Sequence, residues 1–412
     1  MSLIADLKYR ELIYGMTDPD LEKALDKEKL VFYMGVDPTA DSLHIGHLLA
    51  CLVAKRLGKH GHKPIIVIGG GTGLIGDPSF RAQERALLTI EASLKNAEGI
   101  TKQVKKLLPE ATVVNNYEWL SSLNAIEFLR DIGKHFNIAY MVAKESVKSR
   151  IETGLSFTEF SYQIIQAWDF EHLFNNYGCS LQIGGQDQWG NITSGMELIR
   201  KIHGSDSKAY GLTFPLVTRA DGTKFGKSDG SNLWLDSNKS SPYEFYQFWI
   251  NTADDDVIQR LKQYTFLDKK DIENLAKQVL ESPHERLAQK TLAKELTTFV
   301  HGEEACQEAI KISEALFSGE IHTLSKAEIT TGFKNLIDVT LDSECPLVEL
   351  MLDLGLAASK REARELIQNG ALNVNGKKIT DLNYIVEKAN AIESTYTVIK
   401  KGKKAFAIVK HA

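Results

Sequence analysis

Val31-Phe32-Tyr33-Met34-Gly35-Val36, a helix-patterned stretch that begins near Ser42, and then Pro64-Ile65-Ile66-Val67-Ile68-Gly69-Gly70-Gly71 decide the fold. The first run is short and apolar, and Gly35 and Pro38 punctuate a turn at its end. Ser42 is placed to cap the helix that follows, where Leu48, Leu49, Leu52 and Val53 recur at helical spacing. The second run is apolar at consecutive positions, as in a strand buried on both faces. Strand, helix and strand, with glycines at the strand ends, describe a βαβ unit of a doubly wound parallel sheet. Such sheets bind ligands at the carboxyl ends of their strands. Residues 111–114 and 180–183 read as further strands, with helices expected around 125–135 and 158–174.

The chain has 412 residues, too many for one compact core, so two or three domains are expected. Its 43% hydrophobic and 25% charged content is that of an ordinary globular protein. A net charge of −5 hides a gradient: from Leu347 to Ala412 there are 11 Lys and Arg against 7 Asp and Glu, behind an acidic body. A basic tail of this kind fits contact with nucleic acid. Cys51, Cys179, Cys306 and Cys345 are scattered, which indicates neither a disulfide framework nor a zinc site. The first ten residues have neither a secretory core nor a transit pattern, and no apolar run reaches the ~18 residues of a membrane helix. The expected compartment is the cytoplasm, with no membrane partner.

Residues 1–222 read as the α/β nucleotide-binding domain. From 223 to 320 strand signals nearly vanish, and amphipathic patterns such as Asp254–Tyr264 announce a helical domain. Residues 321–346 read as a connector. Residues 347–412 form a small α+β module, whose helix from Ser359 stops at Asn369-Gly370 and whose Val374-Asn375-Gly376-Lys377 reads as a hairpin turn.

Two tags carry the chemistry. His44-Ile45-Gly46-His47 puts two imidazoles on one side of a helix N-terminus, where they can donate to phosphoryl oxygens. Lys224-Phe225-Gly226-Lys227-Ser228 puts two cations on a glycine-containing loop, which can close over phosphate groups. With Gly76-Asp77-Pro78-Ser79 and Leu181-Gln182-Ile183-Gly184-Gly185-Gln186-Asp187-Gln188-Trp189 added, the chain closely resembles the bacterial-type tyrosyl-tRNA synthetases of class I, over nearly its whole length. KFGKS departs from the general class form KMSKS at its second and third positions but keeps both lysines and the serine.

The resemblance implies a Rossmann-like catalytic domain, an all-α domain and an S4-like RNA-binding tail. It implies His44, His47, Lys224 and Lys227 as catalytic residues. Tyrosine would be held by Tyr33 and Asp169 at its hydroxyl and by Asp77, Tyr162 and Gln166 at its ammonium, with Gln188 at its carboxylate or at the reacting phosphate. ATP would meet Gly35, Asp37, Thr39, Gly46, Gly185, Asp187, Lys227 and Ser228. Arg81 and Arg85 would help bind pyrophosphate or the tRNA end, Lys360, Arg361 and Arg364 in the tail would touch tRNA, and Lys400, Lys401, Lys403 and Lys404 are further candidates. The implied partners are L-tyrosine, tRNA(Tyr), ATP with Mg2+ as substrate, and a second copy of the chain, docked near Phe157 and residues 136–141. No tightly bound cofactor and no protein metal ligand are expected.

From the residues alone, Tyr162, Gln166 and Asp169 are spaced 4 and 3 apart on one face of an otherwise apolar helix, as in a pocket wall. Gly71-Thr72-Gly73-Leu74-Ile75-Gly76 satisfies GxGxxG and raises a dinucleotide-dependent oxidoreductase as a rival. Asp77-Pro78 directly after it argues against the helix that motif requires. A tryptophanyl-tRNA synthetase is a second rival, opposed by Tyr33 with Asp169. An RNA-binding protein with a retired catalytic domain is a third, opposed by retention of both histidines and both lysines.

Overall fold

The computed structural model describes residues 1–79, 87–151, 154–216, 227–228, 231–332, 337–402 and 405–412. The chain divides into two compact units, Met1–Asp236 with Ala253–Pro283, and Ser237–Thr252 with His284–Ala412.

The first unit is built on a six-stranded sheet of β1 (Gly15–Met16), β2 (Val31–Val36), β3 (Lys63–Ile68), β4 (Thr112–Asn115), β5 (Cys179–Gly185) and β6 (Tyr210–Phe214). Their order across the sheet is β1-β6-β5-β2-β3-β4, all parallel except the edge strand β1. From β2 the chain winds one way to β3 and β4, then returns to the other side for β5 and β6. The winding therefore reverses between β2 and β5, which opens a crevice at their carboxyl ends. The βαβ expectation is met, because Phe32, Tyr33, Met34 and Ile65–Ile68 are buried on both faces.

Two local expectations change. The helix after β2 starts at Ile45, and its cap is His44 rather than Ser42. Ser42 instead donates to the Leu43 carbonyl and accepts from Gln103, so its hydroxyl is already engaged. The GxGxxG stretch forms a 3-10 turn over Thr72–Leu74, and among the described residues the next helix begins at Ile90. Among the described residues, 75–79 start no helix N-terminus directly after this glycine turn, which counts against the oxidoreductase reading. The expected helix around 125–135 is a short helical turn, a wide π turn over Phe128–Ile132 and a 3-10 turn over Gly133–His135.

The helices Asp254–Tyr264 and Lys269–Glu281, which the sequence grouped with the helical domain, belong to the first unit. A buried ion cluster explains why. Asp6 accepts from Arg10 Nε and Arg56 Nη1, both at 2.7 Å. The two guanidiniums then donate to the carbonyls of Lys262, Thr265 and Leu267. These carbonyls lie at the negative C-terminal end of the helix, where cations are favoured. Asp6→Ala would leave two buried guanidiniums without their carboxylate. It is expected to lower unfolding free energy by about 3–5 kcal/mol, read from urea denaturation. A change under ~1 kcal/mol would show the cluster to be dispensable.

In the second unit the helices Pro242–Ile250, Leu287–His301 and Glu303–Ser318 precede a five-stranded sheet of order β12-β11-β14-β15-β9. Its strands are β9 (Ile337–Leu341), β11 (Leu372–Val374), β12 (Lys377–Ile379), β14 (Tyr396–Lys401) and β15 (Ala405–His411). β10 (Cys345–Pro346) pairs separately with β13 (Ile385–Val386). Asn375 and Gly376, at φ +47° and +84°, make the expected two-residue turn between β11 and β12. Residues 321–346, read as connector, contribute β9, which runs parallel to β15 at the sheet edge.

The sheet is apolar on both faces because side chains alternate along β14 and β15. Ile399, Ala407 and Val409 pack with Leu347, Leu350, Met351, Ala363 and Ile367. Tyr396, Val398 and Ile408 pack with Ile312, Leu316, Ile321 and Ile329. The tail is thus anchored to the end of the helix Glu303–Ser318, not carried on a free tether.

Candidate active site

The crevice between β2 and β5 gathers most of the residues the sequence singled out. His44 is the N-cap of the helix Ile45–Lys59, and its Nδ1 accepts from the Gly46 N–H at 3.0 Å. His47 Nδ1 in turn accepts from the His44 N–H at 3.2 Å, so the two imidazoles form a reciprocal capping box. With both Nδ1 atoms accepting, the neutral rings carry their protons on Nε2. The rings lie 4.0 Å apart and present their N–H groups beside the positive pole of the helix. A Cβ at Gly46 would come within 2.8 Å of the His44 ring, so glycine there lets His44 fold back onto its own helix. At Gly35 a Cβ would meet nothing within 4 Å, and that stretch of backbone faces open space.

The chain just after the second tag returns to the first. Lys227–Ser228 forms β7, paired antiparallel with β8 (Ser231–Asn232). Two backbone bonds then zip the following residues onto the histidine segment: Ile45 N–H to Leu233 O at 2.9 Å and Leu235 N–H to Leu43 O at 2.8 Å. Trp234, between them, sets its ring edge-on to His44 with centroids 6.1 Å apart. Lys224 lies outside the described residues, as do Arg81, Arg85, Lys403 and Lys404.

Four carboxylates line the inner part of the crevice. Asp37 accepts from Thr72 Oγ1 at 2.7 Å and from the Tyr162 hydroxyl at 2.9 Å. Asp77 accepts from the Ser79 N–H and, at 2.8 Å, from Gln188 Nε2. Gln188 is a hub: its amide also donates to Asp187 at 3.0 Å, and its oxygen accepts from Gln166 at 3.3 Å. Burial raises the Asp187 carboxyl above the ordinary range and pushes Asp169 up to about 7, although two donors resist the latter shift. Tyr162 is pushed well up, first by burial and then by Asp37 and Asp77. Such an acidic chamber favours an ammonium group. Thr39 is exposed at the mouth.

At the closed end stands Asp169, whose oxygens each take one fixed donor. Asn116 Nδ2 donates to Oδ2 at 2.9 Å, and Trp119 Nε1 donates to Oδ1 at 2.8 Å. Asn116 also donates to Thr72 Oγ1 and accepts from the Gly71 N–H. Tyr33, in β2, is fully buried and lies close enough to Asp169 for that carboxylate to raise its phenol further after burial. Yet its hydroxyl has no hydrogen-bond partner among the described residues. Gln166 Oε1 and Gln182 Oε1, the latter on β5 opposite Tyr33, are likewise unpaired among the described residues. Buried polar atoms are normally satisfied, so three of them around one chamber mark where a polar ligand sits. Thr72, Asn116, Trp119, Gln182 and Trp234 were not singled out as site residues from the sequence.

The tail residues lie in the second unit. Lys360, Arg361 and Arg364 are exposed on the helix Lys360–Gln368, with Lys360 paired to Glu349 at 2.8 Å and Arg361 to Glu365 at 3.1 Å. Lys400 and Lys401 donate to the carbonyls of Leu316 and Leu356, so both serve the fold.

Comparison with known proteins agrees with this geometry. Residues 25–318 match the family described as tRNA synthetases class I (W and Y), and residues 328–409 match the tyrosine–tRNA ligase SYY-like C-terminal domain. The tyrosine–tRNA ligase of Geobacillus stearothermophilus is 53% identical over 420 aligned residues that cover all of both chains. A C-terminally truncated mitochondrial tyrosyl-tRNA synthetase from Aspergillus nidulans superposes with a TM-score of 0.70 at 32% identity, over 77% of this chain and 94% of that one. The corresponding Coccidioides posadasii structure gives 0.67 at 32%, over 76% and 91%. These matches place the chain among the class I aminoacyl-tRNA synthetases. Within that class, the chain belongs to the tyrosine–tRNA ligase family.

Proposed function

We infer that the chain joins L-tyrosine to ATP as tyrosyl-adenylate, with release of pyrophosphate, and then passes tyrosine to the 3′-terminal adenosine of tRNA(Tyr). The observation that carries the amino acid is the unpaired Tyr33 hydroxyl beside Asp169 at the closed end of the chamber. A phenol placed there donates to Asp169 and accepts from Tyr33, which satisfies all three groups. Its ammonium falls among Asp77, Tyr162 and Gln166, and its carboxylate is turned toward Gln188 and the open crevice.

In the first step a tyrosine carboxylate oxygen attacks the α-phosphorus, and the bond to the bridging oxygen breaks as pyrophosphate leaves. The Nε2–H groups of His44 and His47 donate to the phosphoryl oxygens as charge shifts, and Lys224 and Lys227 neutralise the leaving group. Gly35, Gly46, Gly185, Asp187, Asp37, Thr39 and Ser228 would hold the rest of ATP, with Asp187 taking the ribose hydroxyls. Mg2+ would come with the nucleotide and be held largely by its phosphates. In the second step the ribose hydroxyl of tRNA attacks the acyl carbonyl and AMP leaves.

Pyrophosphate exchange across the twenty amino acids is expected to respond to tyrosine alone. Tyr33→Phe is expected to weaken tyrosine activation by about 0.5–1.5 kcal/mol, the range for one neutral hydrogen bond, and to lower preference over phenylalanine equally. Unchanged discrimination would remove Tyr33 from this role. Lys227→Ala is expected to slow adenylate formation while tyrosine affinity in equilibrium dialysis stays within about twofold. Lost tyrosine binding with an intact activation step would contradict that assignment.

We also infer a homodimer that works in the cytoplasm. Phe157, Ile138 and Tyr140 are 74%, 70% and 52% exposed, large apolar side chains of the kind a second copy would cover. Sedimentation equilibrium is expected to give twice the chain mass. No helix among the described residues is long and apolar enough to cross a membrane.

A further inference from the structure

The strength of the tyrosine site depends on how firmly Asp169 is held, and one of its two donors is itself held from behind. Trp119 belongs to the short helix Tyr117–Leu120 after β4, and its Nε1–H points at Asp169 Oδ1. The opposite constraint comes from His172, three residues beyond Asp169 on the same face of the helix Phe157–Tyr177. The His172 imidazole lies nearly parallel over the indole, with centroids 4.4 Å apart and an interplanar angle of 13°. The hydrogen bond fixes where the indole nitrogen points, and the stack fixes the plane in which the ring can lie. Asn176 holds His172 in turn, its amide donating to the His172 carbonyl at 2.9 Å and reaching ring Nδ1 at 3.3 Å. A chain of contacts therefore runs from Asn176 through His172 and Trp119 to the carboxylate that reads the phenol.

We propose that His172 is a positioning residue for tyrosine selection, clamping Trp119 so that its N–H keeps Asp169 aimed at the substrate hydroxyl. The proposal rests on the tyrosine-binding reading above. It assigns His172 no contact with substrate. The charged and titratable groups around the imidazole are Asp169 and Glu171 on its own helix, Tyr177 with its ring 6.3 Å away, and His203 from the helix Trp189–His203, whose Nε2 is in hydrogen-bond contact with Glu171 at 2.8 Å. Glu171 favours the protonated imidazole, but burial outweighs it and holds His172 below the usual histidine range.

The test uses the full-length enzyme with His172→Ala and His172→Phe. Phenylalanine keeps an aromatic plane over Trp119 and removes the ionisable ring. His172→Ala is expected to raise the tyrosine KM in pyrophosphate exchange by roughly 3- to 10-fold, the scale of one aromatic pair, with the ATP KM unchanged. Preference for tyrosine over phenylalanine should fall by the same factor, and His172→Phe should restore both to within about twofold. A spectroscopic arm needs no activity. Imidazolium quenches indole emission, so acidification of the wild type below pH 6.5 should dim a tryptophan component that is absent in both His172→Phe and Trp119→Phe. A folded His172→Ala with unchanged tyrosine KM and selectivity overturns the proposal. So does failure of His172→Phe to rescue, or an acid quench that survives in His172→Phe. A wild type that does not activate tyrosine would instead overturn the underlying reading.

Discussion

Asp169→Ala is expected to reduce kcat/KM for tyrosine in pyrophosphate exchange by roughly 10²- to 10³-fold, while the ATP KM changes little. A hydrogen bond to a charged group contributes about 1.5–3 kcal/mol, and removal of the acceptor also strands the Asn116 and Trp119 donors in a buried place. Phenylalanine, which never used the acceptor, should lose far less, so discrimination should collapse. The dependence on pH has a definite sign. Burial holds Asp169 at about 7, above its ordinary value. Its contribution to stability is therefore full below the unfolded carboxylate pKa and is lost as pH rises through 7, where ionisation starts to oppose burial. If Asp169 reads the hydroxyl, the ionised form is the one that accepts the phenol, because Tyr33 would already supply a donor to that oxygen. Preference for tyrosine over phenylalanine should accordingly grow between pH 6 and 8. Tyrosine binding near pH 7 should release more protons than phenylalanine binding, by calorimetry in buffers of different ionisation enthalpy. Equal proton release for the two amino acids would show that Asp169 does not read the hydroxyl.

What could be read from sequence follows how local the determining physics is. The β2–helix–β3 unit announced itself because its apolar runs, turn residues and helical spacing all lie within forty residues. Tyr162, Gln166 and Asp169 were legible as one face because a helix maps spacing onto direction. Asn116 and Trp119 carried no such signal. They follow β4 with no motif around them, and their meaning comes from a carboxylate about fifty positions away. Trp234 depends in the same way on a backbone zipper to residues 43–45. Ser42 had the right chemistry for a cap, but the helix began two residues later, where a histidine pair could satisfy both end donors. The assignment of 254–281 to the first unit rests on Arg10 and Arg56, charges that composition places on the surface by default. β9 did leave a trace: Ile337, Val339 and Leu341 alternate with polar residues, a strand pattern inside the stretch read as connector.

The second large effect concerns tRNA, and the fold dictates how to seek it. A cut near Cys345 would leave β9 without β15, and Ile312 and Leu316 without Val398 and Ile408, so lost charging could reflect a damaged core. Charge reversal avoids this. Lys400 and Lys401 are committed to main-chain carbonyls, whereas Arg361 and Arg364 stand exposed on one helix, with Arg361 in an exposed pair of little energetic weight. We expect Arg361→Glu with Arg364→Glu to lower kcat/KM for charging of tRNA(Tyr) by roughly 10²-fold near 0.15 M salt, since two phosphate contacts become repulsions. The slope of log affinity against log salt should become shallower by about two contacts' worth, and tyrosine-dependent pyrophosphate exchange should not change. If charging and its salt slope match the wild type at sub-micromolar tRNA, this helix does not face the nucleic acid. An equal loss in exchange would mean that the substitutions had reached the adenylate chemistry.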